Sequence, residues 1–344
     1  PMTVRDVFSK TFAKYLFGRV GQAALVIFIG ITITFLIPRM APTNPVEQKI
    51  NQMMVSGTNI HPEALQQFRE AMNDMYGLKG TVVDQYFAFW GRLVHGDLGP
   101  SIFSFPLPVT QIIGKSMPWT IGLLLSTSLI SWILGNLLGG LAGYYQGKRW
   151  TQWAELVANC IRPVPYYIFA FILLIVFCFV VPLFPTLGAY DRGLKEDWLN
   201  LTFVVSVLHH TFLPALSLVL TGIGGWLLGM RALVSNIISE DYVQYAEVGG
   251  VAKKTILNQY VMRNALLPQI TGLGMSLGGI FSGALITEYV FGIPGIGQLS
   301  YQAIIGFDYS LIMGISIFSI VGVSVSVLVV DLLYPIFDPR VRLN

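Results

Sequence analysis

PWTIGLLLSTSLISWILGNLLGGLAGYY, residues 118–145, runs for 28 positions without one charged side chain. That exceeds the roughly 20 apolar residues a helix needs to cross a bilayer core. Hydrocarbon offers exposed amides no partner, so the segment crosses as a helix that bonds its own backbone. Within it Gly135, Gly139 and Gly143 recur at every fourth position. That spacing lets helix backbones approach closely inside a membrane.

Five further windows are also free of charge: residues 20–37, 163–190, 201–230, 264–287 and 309–330. The expected fold is therefore all-α, a polytopic membrane protein of about six transmembrane helices. Several windows exceed the bilayer thickness, so their helices tilt or end inside them. Glycine pairs at Gly225/Gly229, Gly274/Gly278 and Gly279/Gly283 extend the case for tight packing. Composition agrees. Of 344 residues, 54% are hydrophobic and 11% charged, and the mean hydropathy is +0.65. A soluble domain carries about a quarter charged residues, so lipid solvates much of this chain.

A net charge of +3 on scattered basic residues excludes a nucleic-acid surface. Cys160 and Cys178 lie in apolar segments, with no CxxC pair and no histidine at ligand spacing; they read as free, buried thiols. Arg5, Lys10, Lys14 and Arg19 precede the first window, and Pro38-Arg39 follows it in place of a small-residue cleavage site. It reads as an uncleaved first span.

Charge sets the orientation. The segments before residue 20, around Lys148-Arg149, from Arg231 to Arg263 and after Ile336 hold twelve basic residues against five acidic. The alternate segments, 38–117 and 191–197, hold eight against nine. The positive-inside rule then puts both termini in the cytoplasm, as an even span count requires. The expected organisation is a cytoplasmic segment 1–19, a first span 20–37, an extracytoplasmic segment 38–117, a five-helix bundle 118–336 containing a cytoplasmic loop 235–263, and a cytoplasmic end 337–344. The outer segment is long enough to carry structure of its own. Amphipathic stretches starting at His61 and at Gln85, with recurring Tyr76, Tyr86, Phe87, Phe89 and Trp90, predict a small helical cap.

Several motifs lead away from catalysis. Gly114-Lys115-Ser116 has the tail of a phosphate-binding loop, but Val109 stands where the first glycine is needed and no buried strand precedes it. His209-His210 are adjacent, about 100° apart on a helix, whereas helical metal ligands favour i,i+4. Neither a His-Glu-x-x-His nor a Gly-x-Ser-x-Gly pattern occurs. Glu155, Arg162, Glu288 and Asp331 lie at or near span ends, within reach of interfacial water, where pairing or capping is their expected use.

The loop between the fourth and fifth spans is more informative: Glu240-Asp241-Tyr242-Val243-Gln244-Tyr245-Ala246-Glu247-Val248-Gly249-Gly250-Val251, then Lys253-Lys254 and Arg263-Asn264-Ala265-Leu266-Leu267-Pro268. Acidic residues suit a helix N-terminus, and paired glycines let the backbone reverse. The pattern predicts a short helix, a turn and a second helix with basic residues. It is read either as a docking knob beneath the membrane or as a solvated connecting loop.

This loop resembles the cytoplasmic coupling motif of ABC importer permeases, in the form found in the dipeptide/oligopeptide (peptide/nickel) family. There a Tyr-Val-x-x-Ala…Gly stretch leads to Arg-Asn-Ala-Leu-Leu-Pro, matched here by Tyr242, Val243, Ala246, Gly250 and Arg263 to Pro268. Gln244-Tyr245 depart from the Glu-Ala of the general motif, and Gly249 is an additional glycine. Gly96-Asp97-Leu98-Gly99 with Ser101, Glu288-Tyr289-Val290-Phe291, Ile293-Pro294-Gly295-Ile296-Gly297, Asp308 and Asp338-Pro339-Arg340-Val341-Arg342 are similar too, in the family's order. The long first outer loop resembles that of the B-type subunit of such heterodimeric permeases.

The resemblance implies a type I ABC importer permease in a bacterial or archaeal inner membrane, working with a homologous second permease, two ATPase subunits and an extracytoplasmic substrate-binding protein. It implies no cofactor in this chain, with ATP and magnesium held by the ATPases, and no enzymatic role. Glu240, Asp241, Tyr242, Tyr245, Ala246, Glu247, Gly250, Val251, Lys253 and Lys254 would form the coupling loop. Met275, Ser276 and Ser282 are expected along the pathway, and Glu288, Pro294, Gly295 and Gly297 in a structural or gating role. The implied cargo is an oligopeptide; oligosaccharides and nickel chelates are carried by related systems. A secondary transporter needing no ATPase is the other reading, and would call for mid-membrane carboxylates and an inverted repeat.

Overall fold

The computed structural model describes residues 10–40, 45–55, 62–78, 80–102 and 104–337. The first nine residues, His61 and the segment from Asp338 to Asn344, which includes the similar Asp338–Arg342 stretch, lie outside it. The described residues form helices joined by turns and irregular segments, with no named strand among them.

Five helices are long and apolar enough to cross a membrane, and a sixth crossing is available if one bent pair is counted as a span. The first is α1, Lys10–Met40. Three short helices follow in the outer segment: α2, Pro45–Val55, α3, Pro62–Met75, and α4, Val82–Val94. The second long helix is α5, Val109–Tyr144. Then come α6, Arg149–Ile161, and α7, Tyr166–Leu174, which runs on as a wider π-helical turn over Ile175–Val180. These two are bent by 94° around Pro163 and Pro165. Next are α8, Leu201–Ile238, and α9, Asp241–Val248. The fifth long helix, α10, spans Lys253–Ser282. Two short helices, α11, Leu285–Phe291, and α12, Ile296–Ile305, precede α13, Tyr309–Phe337.

The centre of the bundle is the α5–α8 pair, the most extensive helix contact of the fold. Its glycine triplet explains why. A Cβ on Gly139 would sit 2.3 Å from the carbonyl oxygen of Leu227, and one on Gly135 2.5 Å from the Cβ of Trp226. Only glycine permits that approach. Gly274 meets Val330 of α13 in the same manner, whereas Gly225 and Gly279 face open space. The expectation of close packing thus holds for some of the glycine pairs and not for all.

The third expected window, 163–190, is helical only as far as Val180, and an irregular stretch continues to Asn200. Prolines at 163 and 165 end one helix and begin another, since proline tolerates the first turn of a helix but not its interior. Cys178 is buried, but Cys160 is exposed on α6, contrary to the expectation for both thiols. In a bundle surrounded by lipid an apolar side chain need not point inward.

The outer segment forms the expected helical cap, with α2 as an additional helix. Val46, Ile50, Met72, Tyr76 and Ile102 make its core, and Arg69 pairs with Glu47 at 2.6 Å across α2 and α3. Most of the aromatic residues fix α4 to the first span. Trp90 stacks on Phe28 at 5.5 Å, Tyr86 and Phe89 each lie 5.2 Å from Phe35, and the Tyr86 hydroxyl meets that of Thr32 at 2.9 Å.

Candidate functional site

α8 ends at Ile238, the chain turns through Ser239-Glu240, and α9 projects as a knob from one end of the bundle. Its alternation of burial follows helix periodicity. Val243 (3% exposed) and Ala246 (9%) pack into a cluster with Met230 and Val234 of α8 and Ile256, Val261 and Ala265 of α10. Tyr245 and Val248 point away, 76% and 88% exposed, and Tyr242 is 41% exposed. The surface of the knob is therefore partly apolar. Asp241, Glu247, Lys253 and Lys254 are exposed around them.

The turn after the knob is a Schellman motif. Val251 N–H donates to the Ala246 carbonyl at 3.0 Å and Gly250 N–H to that of Glu247 at 3.0 Å. This arrangement requires a left-handed residue just past the helix end, and Gly250 supplies it at φ +75°. Asn264 then locks the knob to α10: its amide donates to the Tyr242 hydroxyl at 3.2 Å and to the Tyr260 carbonyl at 2.6 Å. The expected helix–turn–helix is present. Within it, Ala246 and the half-buried Val251 anchor the knob, while the other named residues stand on its surface.

α10 carries a second feature. Met275, Ser276, Gly279 and Ser282 are its exposed residues after Pro268, spaced to lie on one face. The exposed face of α5 is mostly aliphatic, with Leu125, Leu129, Ile133 and Leu137 interrupted by Gly122 and Ser126. Ser276, Gly279 and Ser282 make this face of α10 smaller and more polar, while Met275 is a large apolar group 60% exposed.

The third feature corrects an expectation. Glu288, placed at a span end within reach of water, is fully buried. Its carboxylate accepts from the Thr120 hydroxyl of α5 at 2.9 Å and from the N–H groups of Ala284 at 3.2 Å, Gly297 at 2.7 Å and Gln298 at 3.3 Å. Thr120 in turn accepts from Ile296 N–H at 2.7 Å. The carboxylate therefore caps the N-terminus of α12, where free amides and the helix dipole favour a negative charge. Protein donors replace water. Gly295 is forced: a Cβ there would collide with Glu288 Oε2 at 2.2 Å and Thr120 Oγ1 at 2.5 Å. Gly297 packs against the backbone of Leu285, at 2.5 Å from where its Cβ would be. Glu288, Gly295 and Gly297 thus form one junction joining α5, α11 and α12. Pro294 lies beside it, lining an open cavity of about 620 Å³ with Arg192, Gln298 and Gln302.

The remaining charges near span ends are mostly paired. Glu155 binds Arg231 at 2.7 Å, and Asp331 binds Arg19 at 3.2 Å; Arg162 is exposed at the end of α6. His210 is buried, with its Nδ1 2.9 Å from the Ser206 carbonyl, while His209 meets the Leu183 carbonyl at 3.1 Å.

Comparison with known proteins extends the reading over the whole chain. The family described as "binding-protein-dependent transport system inner membrane component" matches residues 135–343. The oligopeptide transport system permease protein AppB of Bacillus subtilis is 29% identical over 332 residues, which is 96% of this chain and 99% of AppB. The oligopeptide transport system permease protein OppB of Haemophilus influenzae is 28% identical over 332 residues, again 96% and 99% of the two chains. The dipeptide transport system permease protein DppB of Lactococcus lactis subsp. cremoris is 28% identical over 334 residues, with the same coverage.

Proposed function

This chain belongs to the family of binding-protein-dependent transport system inner membrane components, and from that premise we propose that it forms one half of the translocation pathway of an ATP-driven oligopeptide importer. The family is a multi-pass permease component of the inner membrane and not a catalyst. In the reading proposed, a binding protein delivers a short peptide to the cap face and a homologous second permease completes the channel. Two ATPase subunits bind beneath, carrying the ATP and magnesium. Both termini lie on the ATPase side.

The observation that carries this reading is the knob. Val243 and Ala246 hold α9 in the core while Tyr245 and Val248 are presented outward. Closure of the ATPases pushes on that surface, and the bundle switches between two arrangements of rigid helices. α10 leaves the knob's turn and carries the Met275–Ser276–Ser282 stripe, so the pushed element is also the lining element. The Glu288 junction, on the opposite end of α10, holds α11 and α12 as a plug across the outer mouth. The cargo assignment follows the similar permeases, whose names specify oligopeptides or dipeptides.

Coexpression with the ATPases and second permease tests it. ATP-dependent uptake of a labelled peptide, lost when Tyr245 becomes Arg although the complex still assembles, is the expected result. Peptide uptake that persists without any ATPase subunit would refute it.

A further inference from the structure

An apolar groove of about 440 Å³ lies between α1 and α13. Ala23 and Val26 form one wall, Val323 and Val327 the other, and the buried Ser324 lies between them. Arg19 and Asp331 stand together at one end, paired at 3.2 Å and only partly covered, with side chains 38% and 30% exposed. Arg19 also donates to the Gln22 amide oxygen at 3.2 Å, and Gln22 borders the groove.

That end lies on the knob's side of the bundle. Along α13, Val330 touches Gly274 of α10 while Gly322 touches Phe281, so rising α13 numbers lead back toward the knob. The outer surface of α1 is bare hydrocarbon-type surface: Leu25, Val26, Phe28, Ile29 and Ile33 are each about half exposed. The groove opens on that same surface, and what fills it is what surrounds it, an acyl chain. Its polar end narrows the choice of headgroup. A guanidinium and a carboxylate side by side match a phosphate beside an ammonium. A purely anionic headgroup would meet the Asp331 carboxylate, and a choline ammonium has no N–H to donate to it.

We propose that this groove binds one phosphatidylethanolamine molecule. Its acyl chain lies along Ala23, Val26, Val323 and Val327, its phosphate on Arg19 and its primary ammonium on Asp331. α1 makes most of its bundle contact with α13, so the lipid acts as a brace between the first span and the rest of the bundle.

The test uses the assembled transporter, released for native mass spectrometry from nanodiscs holding equal parts of ethanolamine, glycerol and choline phospholipids. One ethanolamine lipid per copy of this chain is expected to remain bound. Ala23→Trp fills the groove and abolishes retention; Val327→Trp, on the other wall, gives a second reading should the first variant fail to assemble. Asp331→Asn keeps the apolar groove and lowers the preference for ethanolamine over choline lipid about tenfold, equivalent to about 1.4 kcal/mol. Equal retention of all three lipids, undiminished retention in both tryptophan variants, or disulfide capture of an Ala23→Cys variant by the second permease subunit would each overturn the proposal.

Discussion

The Ser101 hydroxyl donates to the Asp308 carboxylate at 2.5 Å, joining residues 207 positions apart whose side chains are both fully buried. One stands next to Ile102 of the cap's core, the other in the turn leading into α13. Asp308 also accepts from Leu311 N–H at 3.0 Å, capping α13. The bond thus ties the outer segment to the last span through a group that already organises that span's start.

Unequal losses follow from the two sides of this contact. Ser101→Ala removes the bond to a charged group, about 1.5–3 kcal/mol, and the one its hydroxyl accepts from Ser104 N–H at 3.0 Å. Asp308→Ala removes the cap as well and is expected to lower the thermal midpoint of the detergent-solubilised complex further. Equal midpoints for the two variants would contradict the ranking.

At Gly250 the expectation is sharper than steric exclusion. A Cβ there meets nothing within 4 Å, so the cost of substitution is conformational, about 1–2 kcal/mol for a left-handed L-residue. Gly250→Ala and Gly250→Leu should therefore uncouple ATP hydrolysis from transport to similar degrees while membrane insertion is preserved. Normal transport in vesicles by the Leu variant would remove the turn from the coupling path.

The carboxylate of Glu288 receives donors on both oxygens. A glutamine would turn its own NH₂ toward N–H or O–H donors, so Glu288→Gln is expected to lose about 1–3 kcal/mol for the group left unsatisfied. Gly295→Ala, which drives a methyl into the same oxygens, should be at least as harmful, about 1–3 kcal/mol from overpacking. Thermal unfolding of both variants, with Gly279→Ala as an unobstructed control, checks this.

Cysteine scanning of α10 has a defined pattern. Met275, Ser276, Gly279 and Ser282 should react with a polar thiol reagent, and Gly278 and Ile280, both buried, should not. If the stripe lines the pathway, its reaction rates change between nucleotide-free and nucleotide-bound complexes. Rates indifferent to nucleotide would assign it to a static interface.

Much of this molecule was legible in the chain. The spans announce themselves because a missing charge over 20 or more residues has one physical solution in lipid. The helix–turn–helix was legible because Gly249-Gly250 after an acidic-led helix prescribes a reversal, whereas the pattern alone left knob and connecting loop open. Glu288 was misjudged because hydropathy counts a carboxylate as a charge seeking water. It cannot see that Gly283, Gly295 and Gly297 fold two short helices so that their free amides converge on it. The stop of α7 at Val180 was hidden for a related reason: an apolar run reads the same whether its backbone is helical or irregular. α2 was legible too, since Val46, Ile50, Met53 and Met54 stand at i, i+4, i+7 and i+8; what the chain does not show is that Val46 and Ile50 pack on Met72 and Ile102.

The continuity of α10 has a mechanical meaning. Its 30 residues give a rod on the order of 45 Å at 1.5 Å per residue. Pivoted at the Lys253 end, a tilt of roughly 5° sweeps the Ser282 end through about 4 Å, since displacement is arm length times angle. In the function proposed, a small angular displacement at the knob thus becomes an aperture change on the scale of a peptide backbone's width, with leverage provided by helix length alone.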